Sequence, residues 1–449
     1  MKLWAVAGIL AVVCLAVYWP HKEAEFVLDD YYTVVRNPLI KNPSLYQNIW
    51  KSRLFDAHQS SGYIKFGYYR PVLQSSWILD YRLFALRASG YQWLNLLVHF
   101  LNCFLVYILM ERLFGPAVAL KTCLLFCVLP TQEWVVRYVT GRGDELSALF
   151  GLLSLVSLLW VLRTRNEKGY IFVFMFWALA ALTREVAISY ILYAFFIYFF
   201  FLQKDKLGQA GDIGHFSLWW VLAGTLPLII IVPIIPKQGN VLAYHILYFA
   251  SAGFCLWMAQ LRSRWALVMF FFFAAVSCYQ GRFWTTEEAL LRHTRSLEWW
   301  PRTVVAQQLL MKYDDDIPAI QDLATQAHGP IIKAMWLRRL GVVYFEHKDL
   351  ARAQEYFSEA LSVNPSDVDT LDALAVVAHD KGQEAESLKF LGHALEINPF
   401  YPDTLKTLGI YYYIHHDLPQ ARALLGRCLF FDPDNRQARE LLSLANKMN

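Results

Sequence analysis

Long runs of apolar residues dominate the sequence, and they restrict the fold more than any other feature. Of the 449 residues, 57% are hydrophobic and 17% are charged, whereas soluble domains carry about 25% charged residues. Runs of about 15 to 22 apolar residues match the thickness of a bilayer and predict membrane spans. They lie near residues 3–19, 92–110, 117–130, 146–162, 170–183, 186–202, 216–235, 242–260 and 265–281.

The basic residues between the runs predict the orientation of the chain. Cytoplasmic loops of membrane proteins carry an excess of Lys and Arg. The N-terminus is therefore expected in the cytoplasm, whereas the long segment 20–90 and everything after residue 281 are expected outside it. The outside would be a bacterial periplasm or the lumen of the endoplasmic reticulum. The residues that mark the cytoplasmic connections are Arg112, Lys121, Arg163, Arg165, Lys168, Lys204, Lys206, Arg262 and Arg264.

The last third of the sequence repeats with a period of 34 residues. An Asn-Pro or Asp-Pro pair marks the same point in three copies, at residues 364–365, 398–399 and 432–433. This is the period of the tetratricopeptide repeat (TPR), a pair of helices in which small residues allow close approach and large ones fill the gap. The first copy shows the pattern at Trp336, Leu340, Gly341, Tyr344, Ala353, Phe357, Ala360 and Pro365.

These features predict an all-α protein with two parts. A polytopic helical membrane domain would occupy residues 1–285, with the segment 20–90 as its outward loop. A TPR α-solenoid of three repeats and a capping helix would occupy residues 332–449. Residues 286–331 would join the two parts, and 299–331 are a candidate for one degenerate repeat.

Net charge and cysteine placement argue against two classes of site. The formal net charge of +4 is small and scattered, so a nucleic-acid surface is not expected. Six of the seven cysteines lie in apolar runs, without the spacing of a zinc site or of a disulfide framework. We therefore expect them to be small core residues. They are Cys14, Cys103, Cys123, Cys127, Cys255 and Cys278.

An acidic pair, Asp29-Asp30, follows the first apolar run directly. A hydroxyl group is a weak nucleophile, and a positioned carboxylate can take its proton as a glycosidic bond forms. Acidic pairs also occupy many N-caps and solvated turns. The pair alone leaves both interpretations open.

Further polar motifs lie near the ends of the predicted spans. Ionisable groups are costly there unless they are paired or used. The motifs are Tyr69-Arg70-Pro71, the pair Asn95 and His99, Pro130-Thr131-Gln132-Glu133, Gly141-Arg142-Gly143-Asp144-Glu145, Arg184-Glu185, and the run from His245 to Phe254.

Taken in order, these motifs resemble the transmembrane and tetratricopeptide-repeat O-mannosyltransferase (TMTC) family. The resemblance runs over roughly the whole length, and the ordered set is far more specific than any single motif. It is carried by Asp29, Asp30, Asn37, Pro38, Tyr69, Arg70, Pro71, the run from Pro130 to Asp144 with Glu133 and Asp144 in matching places, Arg184, Glu185, Tyr248, Ser251, Gly253 and Phe254.

The sequence departs from the family pattern at a few positions. Thr131 and Gln132 stand where the family often has a histidine, Gln92 stands where another histidine is common, and His245 lies near an expected arginine. The three clear repeats are fewer than those of animal members, which suggests a bacterial or archaeal relative.

The resemblance implies a membrane glycosyltransferase with a GT-C-like fold. Such an enzyme transfers a sugar from a polyprenyl-phosphate donor on the outer face and inverts the anomeric centre. Asp29, nearest the first span, is the candidate general base, and Asp30 and Glu133 would orient it or bind hydroxyl groups. The lipid-linked donor is the only cofactor implied, and a divalent metal is left undecided.

Arginine suits the leaving phosphate because its guanidinium forms bidentate, charge-assisted hydrogen bonds. Arg184, between two spans, is the best placed for this role, and Arg70 is second. The resemblance adds further residues for the donor phosphate or sugar, namely Arg142, Asp144, Glu185, His245 and Tyr248.

Structural interpretations of the same residues remain open. Glu133 could pair with Arg137, Arg142 with Asp144, and Arg184 with Glu185, as bridges without a catalytic role. Asn95 and His99, one turn apart on a span, could form interhelical hydrogen bonds.

Three functions fit these features. The first is transfer of a sugar to Ser or Thr of a protein, with the TPR groove holding the polypeptide acceptor. The second is transfer to a lipid or envelope glycan. The third is a non-catalytic membrane scaffold that uses the repeats for assembly.

Overall fold

The computed structural model describes residues 2–51, 69–203, 209–231, 248–296, 315–327 and 330–448. Within these ranges the chain forms helices and no strand, so the predicted all-α fold is confirmed. The chain divides into two compact units. The first comprises Met1–Tyr31 and Tyr69–Leu290, and the second comprises Tyr32–Tyr68 and Leu291–Asn449.

The first unit is a bundle of mostly apolar helices. Two of these helices meet at a glycine followed by a proline. Gly115, at φ +89°, ends the helix Ala88–Phe114, and Pro116 begins the helix Pro116–Val128, because proline favours the first helical turn. The longer helices of the unit are α1 (Leu3–Tyr18), α2 (Pro71–Phe84), α3 (Ala88–Phe114), α4 (Pro116–Val128), α5 (Arg142–Thr164), α6 (Tyr170–Thr183), α7 (Ser189–Gln203), α8 (Gln209–Ile231), α9 (Ser251–Met258), α10 (Ser263–Gly281) and the start of α11 (Glu287–Ser296).

Among the described residues of the first unit, three helical stretches are long and apolar enough to cross a membrane: Ala88–Phe114, Arg142–Thr164 and Ser263–Trp284. Pro116–Val128 and Pro130–Val136, bent by 51°, add a fourth if they are counted as one span. These spans identify a membrane protein, as predicted. They are fewer than the nine apolar runs, because several runs form shorter helices, and residues 242–247 of the run 242–260 lie outside the described residues.

The core of the first unit forms where α1, α3, α4 and α5 meet. α1 packs against α3 and α4, and α5 packs against α3 and α6. Close approach depends on small residues at some crossings. A Cβ atom on Gly151 of α5 would lie 2.6 Å from the ring of Tyr190, so this position accommodates the tyrosine only as glycine.

The second unit contains helix pairs of the predicted repeats. Its helices are α12 (Ile317–Gln326), α13 (Pro330–Glu346), α14 (Leu350–Val363), α15 (Val368–Asp380), α16 (Glu384–Ile397), α17 (Pro402–Ile414), α18 (Leu418–Phe431) and α19 (Arg436–Lys447). α13 packs on α14, α15 on α16, and α17 on α18. Of the candidate degenerate repeat at 299–331, the described part holds α12 and the start of α13.

Small and large residues meet inside each repeat as the 34-residue pattern predicts. Trp336 and Phe357 are buried in the first repeat. A Cβ atom on Gly341 would lie 2.5 Å from the ring of Phe357, and one on Gly409 would lie 2.9 Å from Leu425. Glycine at these positions lets the two helices of a pair approach closely.

Residues 32–51, part of the predicted outward loop, belong to the second unit and contact its third repeat. Arg36 forms an ion pair with Asp403, with an N–O distance of 3.2 Å. Lys41, whose side chain is 2% exposed, lies 2.8 Å from Asp432 and 3.3 Å from Asp434. The pairing explains how a lysine can be buried, because its charge meets two carboxylates.

Phe357→Ala should destabilise the first repeat. The substitution removes a buried aromatic ring and leaves a cavity beside Gly341, which costs about 3–5 kcal/mol. Hydrogen exchange of the full chain should show faster exchange in α13 and α14. The control Phe400→Ala, at a side chain that is 60% exposed, should cost less than about 1 kcal/mol. Equal effects of the two variants would contradict the packing described.

Candidate active site

The segment 140–144, Thr-Gly-Arg-Gly-Asp, leads into α5 and connects several polar residues of the first unit. Its two glycines permit a tight path. A Cβ atom on Gly141 would lie 2.6 Å from the carbonyl oxygen of Trp134, and one on Gly143 would lie 3.4 Å from Nη1 of Arg184. The segment therefore runs directly against neighbouring backbone and side chains.

Thr140 binds the second residue of the acidic pair. Its backbone N–H and its hydroxyl donate to Oδ1 of Asp30 at 2.8 and 2.7 Å, and the N–H of Val27 donates to Oδ2 at 3.2 Å. Asp30 is fully buried. Burial raises the pKa of the Asp30 carboxyl to about 7, although the bonds from Thr140 and Val27 act in the opposite direction.

Asp29 differs from its neighbour because its side chain is exposed. Its backbone N–H donates to the hydroxyl of Tyr138 at 3.3 Å. Leu28, just before it, has φ +52°, a left-handed conformation that is uncommon for a leucine and is often found at functional sites. The N–H of Leu28 donates to Glu287 at 2.9 Å, which fixes the turn that presents Asp29.

Arg142 ties the segment to α2 and α3. Its Nη1 donates to Asp80 of α2, its Nε donates to Oδ1 of Asn95 at 2.7 Å, and its Nη2 donates to the carbonyl oxygen of Tyr91 at 2.7 Å. Arg142 and Asp80 are both buried. Asp80 was not singled out from the sequence, because it lies within the segment 20–90 that was predicted to be an outward loop, whereas the structure forms the helix Pro71–Phe84 there.

Asp144, the last residue of the segment, pairs with Arg184, and the next residue, Glu185, pairs with Arg70. Nη1 of Arg184 donates to Asp144 at 2.8 Å, and both side chains are largely buried. Arg70 donates to both carboxylate oxygens of Glu185, from Nε at 3.0 Å and from Nη2 at 2.7 Å. The side chain of Glu185 is 44% exposed, so this bidentate pair is the more accessible of the two.

The bridges considered from the sequence differ in part from those in the structure. The sequence alternatives were Arg142 with Asp144 and Arg184 with Glu185. The structure pairs Arg142 with Asp80, Arg184 with Asp144, and Glu185 with Arg70. Each of these pairs joins distant parts of the chain, which local spacing does not reveal.

Glu133 lies in a different environment. It pairs with Arg137 at 2.6 Å, and both side chains are buried. The guanidinium of Arg137 also donates to the carbonyl oxygens of Val17 and Trp19, at 3.2 and 3.4 Å. This is the structural bridge considered from the sequence, and it caps the C-terminal end of α1.

Tyr248 is buried within a network of polar side chains. Its hydroxyl lies 2.7 Å from Nδ1 of His99 and accepts a bond from Nδ2 of Asn102 at 3.1 Å.

Asn95 donates to the carbonyl oxygen of Tyr138 at 2.9 Å. Asn95 and His99 therefore both form bonds to other elements, as the interhelical alternative predicted. His245 lies outside the described residues.

The structure brings some of the predicted residues together and places others elsewhere. The segment 140–144 connects most of the acidic and basic candidates, whereas Glu133 and Tyr248 make separate contacts. Glu145, the next residue, is fully buried, and its two carboxylate oxygens have no hydrogen-bond partner among the described residues. Arg142 and Asp144 belong to the segment, and Asp30 and Arg184 form hydrogen bonds with it. Glu185 follows Arg184 in the sequence and pairs with Arg70.

The cysteines depart from the sequence expectation in two ways. Cys278 is exposed rather than part of the core. Cys14, Cys103 and Cys127 are buried as expected, but their sulfur atoms converge with the imidazole of His99. His99 and Cys103 are four residues apart on α3, a spacing that places their side chains on one helix face.

Comparison with known proteins finds family models that match parts of both units, and relatives that match about a third of the chain. A family model described as dolichyl-phosphate-mannose-protein mannosyltransferase matches residues 74–236, and a tetratricopeptide repeat model matches residues 334–367. Protein O-mannosyl-transferase TMTC4 of Homo sapiens is 28% identical over 183 residues, which is 37% of this chain and 24% of that protein. Protein O-mannosyl-transferase F38B6.6 of Caenorhabditis elegans is 27% identical over 157 residues, 34% of this chain and 23% of that protein.

The chain therefore matches about a quarter of the length of each of these relatives. Among solved structures, the archaeal oligosaccharyltransferase AglB from Archaeoglobus fulgidus aligns over 99% of this chain and 55% of its own, with 12% identity and a TM-score of 0.34. A score this low does not establish a shared fold. The mannosyltransferase model spans the segment 140–144 and its partners Asp80 and Arg184.

Gly141→Ala should destabilise the first unit. The added Cβ would lie 2.6 Å from the carbonyl oxygen of Trp134 and 2.9 Å from that of Tyr138, and backbone atoms cannot move aside cheaply. We expect a loss of about 1–3 kcal/mol, seen as a lower melting temperature in detergent. The control Gly214→Ala meets nothing within 4 Å and should be neutral or stabilising. A Gly141→Ala variant as stable as this control would contradict the tight path of the segment.

The titration of Asp30 should make stability depend on pH. Its folded pKa of about 7 lies above the ordinary value of 3.8, so the folded state binds the extra proton in this window. The free energy of unfolding should therefore fall as pH rises from about 4 to about 7, by at most about 1.4 kcal/mol per pH unit. Asp30→Asn, which keeps an acceptor for Thr140, should remove this component. Identical pH profiles of melting temperature in the two proteins would contradict it.

Proposed function

We propose that this chain, a relative of the transmembrane and tetratricopeptide-repeat O-mannosyltransferases, transfers a sugar from a polyprenyl-phosphate donor to a Ser or Thr hydroxyl of a protein. The resemblance predicted from the ordered motifs is confirmed by the matched family models and relatives. The description of the mannosyltransferase model, which names dolichyl-phosphate-mannose and protein, supports both the donor class and the acceptor class.

The observation that carries the proposal is the different environment of the two aspartates. Asp30 is buried and held by Thr140, whereas Asp29 is exposed at the end of a turn fixed by Tyr138 and Glu287. An exposed carboxylate on a rigid turn can accept the proton of an acceptor hydroxyl as it attacks the sugar. We assign Asp29 as the general base and Asp30 as the residue that positions it. A single displacement of this kind inverts the anomeric centre.

The arginines supply the chemistry for the leaving phosphate. A phosphate accepts the same bidentate hydrogen bonds from a guanidinium as a carboxylate does. Glu185 is partly exposed and holds Arg70 through two such bonds, so a donor phosphate can compete with it for that guanidinium. Arg184, held by Asp144, would provide the second positive charge. No metal ion is required in this arrangement, and none is excluded.

The second unit fits the role of acceptor binding. TPR arrays hold extended or helical peptides in the groove lined by the first helix of each repeat. In this chain the corresponding helices are α13, α15 and α17, and polar contacts run between them. Nη1 of Arg338 donates to Asp369 at 2.8 Å, and the hydroxyl of Tyr401, just before α17, also donates to Asp369. Arg36 of the 32–51 segment donates to the same Tyr401 hydroxyl at 3.4 Å. We propose that the polypeptide binds this polar surface beside that segment.

The proposed orientation follows from charge. The basic connections predict a cytoplasmic N-terminus, which puts Asp29 after the first span on the extracytoplasmic side. Polyprenyl-phosphate donors would then be used on that side, and the repeats would meet their acceptors there.

Asp29→Asn should abolish transfer while leaving the protein folded, because the amide cannot accept the proton. The assay incubates purified full chain with a panel of polyprenyl-phosphate sugars and Ser/Thr peptides. We expect the rate to fall by about 10²–10⁴-fold. The control Glu23→Gln, at an exposed acid of the same segment, should transfer at the wild-type rate.

Two outcomes would oppose the proposal. Unchanged transfer by Asp29→Asn would remove Asp29 as the base. No transfer by the wild-type chain with any donor, together with no missing glycopeptide in a deletion strain, would favour the scaffold function instead.

A further inference from the structure

Four buried side chains from three helices converge at one point inside the first unit. They are Cys14 of α1, His99 and Cys103 of α3, and Cys127 of α4. One potential ligand atom from each lies within 4.8 Å of all the others. Sγ of Cys14 lies 3.3 Å from Sγ of Cys127, and Sγ of Cys103 lies 3.6 Å from Nε2 of His99.

We propose that these four residues bind one Zn²⁺ ion that ties α1, α3 and α4 together. Three cysteines and one histidine are an established donor set for four-coordinate zinc. With Zn–S bonds of about 2.3 Å and Zn–N bonds of about 2.0–2.1 Å, tetrahedral geometry separates the ligand atoms of three cysteines and one histidine by about 3.6–3.8 Å. The separations in the structure bracket this range, so side-chain shifts of less than about 1 Å complete the site.

The surroundings of His99 match those of a metal ligand. A ligating histidine normally donates its other ring N–H to a second group that fixes the ring orientation. Here Nδ1 lies 2.7 Å from the hydroxyl of Tyr248, which is itself held by Asn102. Nε2 lies 3.1 Å from the carbonyl oxygen of Cys127. Metal binding would replace that contact with the Zn–N bond and leave Nδ1–H to donate to Tyr248.

Other buried cysteines show that this convergence is more than apolar packing. Cys255 is as deeply buried as the cluster but is not part of it. Sγ of Cys123 donates to the carbonyl oxygen of Leu120 at 3.3 Å, an ordinary contact for a helical cysteine. Packing alone accounts for these two residues, but it gives no reason for three thiols and an imidazole to point at one another.

The ion would act on the position of the first helix. α1 ends at Tyr18 and leads to the turn that carries the acidic pair, while α3 carries Asn95, which accepts a bond from Arg142. Binding requires the thiols to ionise, so their protons are released to solvent as the Zn–S bonds form. The proposal concerns metal binding alone and does not depend on the proposed transfer reaction.

Metal analysis of the full chain tests the proposal. The protein is purified in detergent under reducing conditions with an affinity tag that lacks histidine, incubated with zinc, and desalted. We expect about one zinc per chain in the wild type and in the control Cys255→Ser, and less than about a tenth of that in Cys103→Ser. Replacement by Co²⁺ should give the sulfur-to-cobalt absorption of a tetrahedral thiolate site in the first two proteins and not in Cys103→Ser.

A second measurement on the wild type covers the case in which Cys103→Ser does not fold. Addition of a strong chelator should release the zinc and make Cys14, Cys103 and Cys127 reactive toward an alkylating reagent, as mapped by peptide mass spectrometry. Less than a tenth of a zinc per wild-type chain, equal zinc in Cys103→Ser and wild type, or bound copper in place of zinc would overturn the proposal. A disulfide between Cys14 and Cys127 in protein kept under reducing conditions would overturn it as well.

Discussion

A charge inside an apolar helix bundle is costly unless it meets a partner, and the segment 140–144 provides such pairing at three positions. Its threonine holds Asp30, its arginine holds Asp80, and its aspartate holds Arg184. These partners come from the turn after α1, from α2, and from the connection after α6. Of the residues in the proposed chemistry, this short stretch of chain orients Asp30 and Arg184, and its two glycines allow it to run close to its neighbours.

The helices and repeats could be predicted because their signals are local. Apolar runs indicate spans, and proline pairs at intervals of 34 residues indicate the helix pairs of the second unit. The pair of Glu133 and Arg137 was also among the alternatives, since residues four apart share a helix face. Hydrogen bonds between residues that are far apart in the sequence produce no local sequence pattern. Arg142 and Asp80 are 62 residues apart, and Arg70 and Glu185 are 115 apart.

The same limit applies to the 32–51 segment and to the cysteines. Nothing in the spacing of Arg36 or Lys41 indicates that they would meet acids of the third repeat. Each cysteine of the cluster looks like an ordinary core residue within its own helix, and only the packing of α1, α3 and α4 brings the thiols together. The sequence predicts which side chains lie on the same helix. It does not predict which side chains of different helices meet, because that depends on tertiary packing.

The two neighbouring aspartates show how environment separates residues that look equivalent in sequence. Burial and the bonds from Thr140 make Asp30 a fixed part of the structure, whereas Asp29 remains exposed on the turn that Leu28 begins. The proposed reaction needs both: a rigid anchor and an accessible base. It also needs a guanidinium for the phosphate, and the partly exposed pair of Arg70 and Glu185 would supply one once the phosphate displaces Glu185.

A cryo-electron microscopy structure of the full chain with a bound polyprenyl-phosphate tests most directly whether these residues form one donor site. The account predicts phosphate oxygens within about 3 Å of the guanidinium of Arg70 or Arg184, with the carboxylate of Glu185 displaced from Arg70. A phosphate bound elsewhere in the helix bundle, with the pairs of Arg70 with Glu185 and Arg184 with Asp144 unchanged, would contradict it.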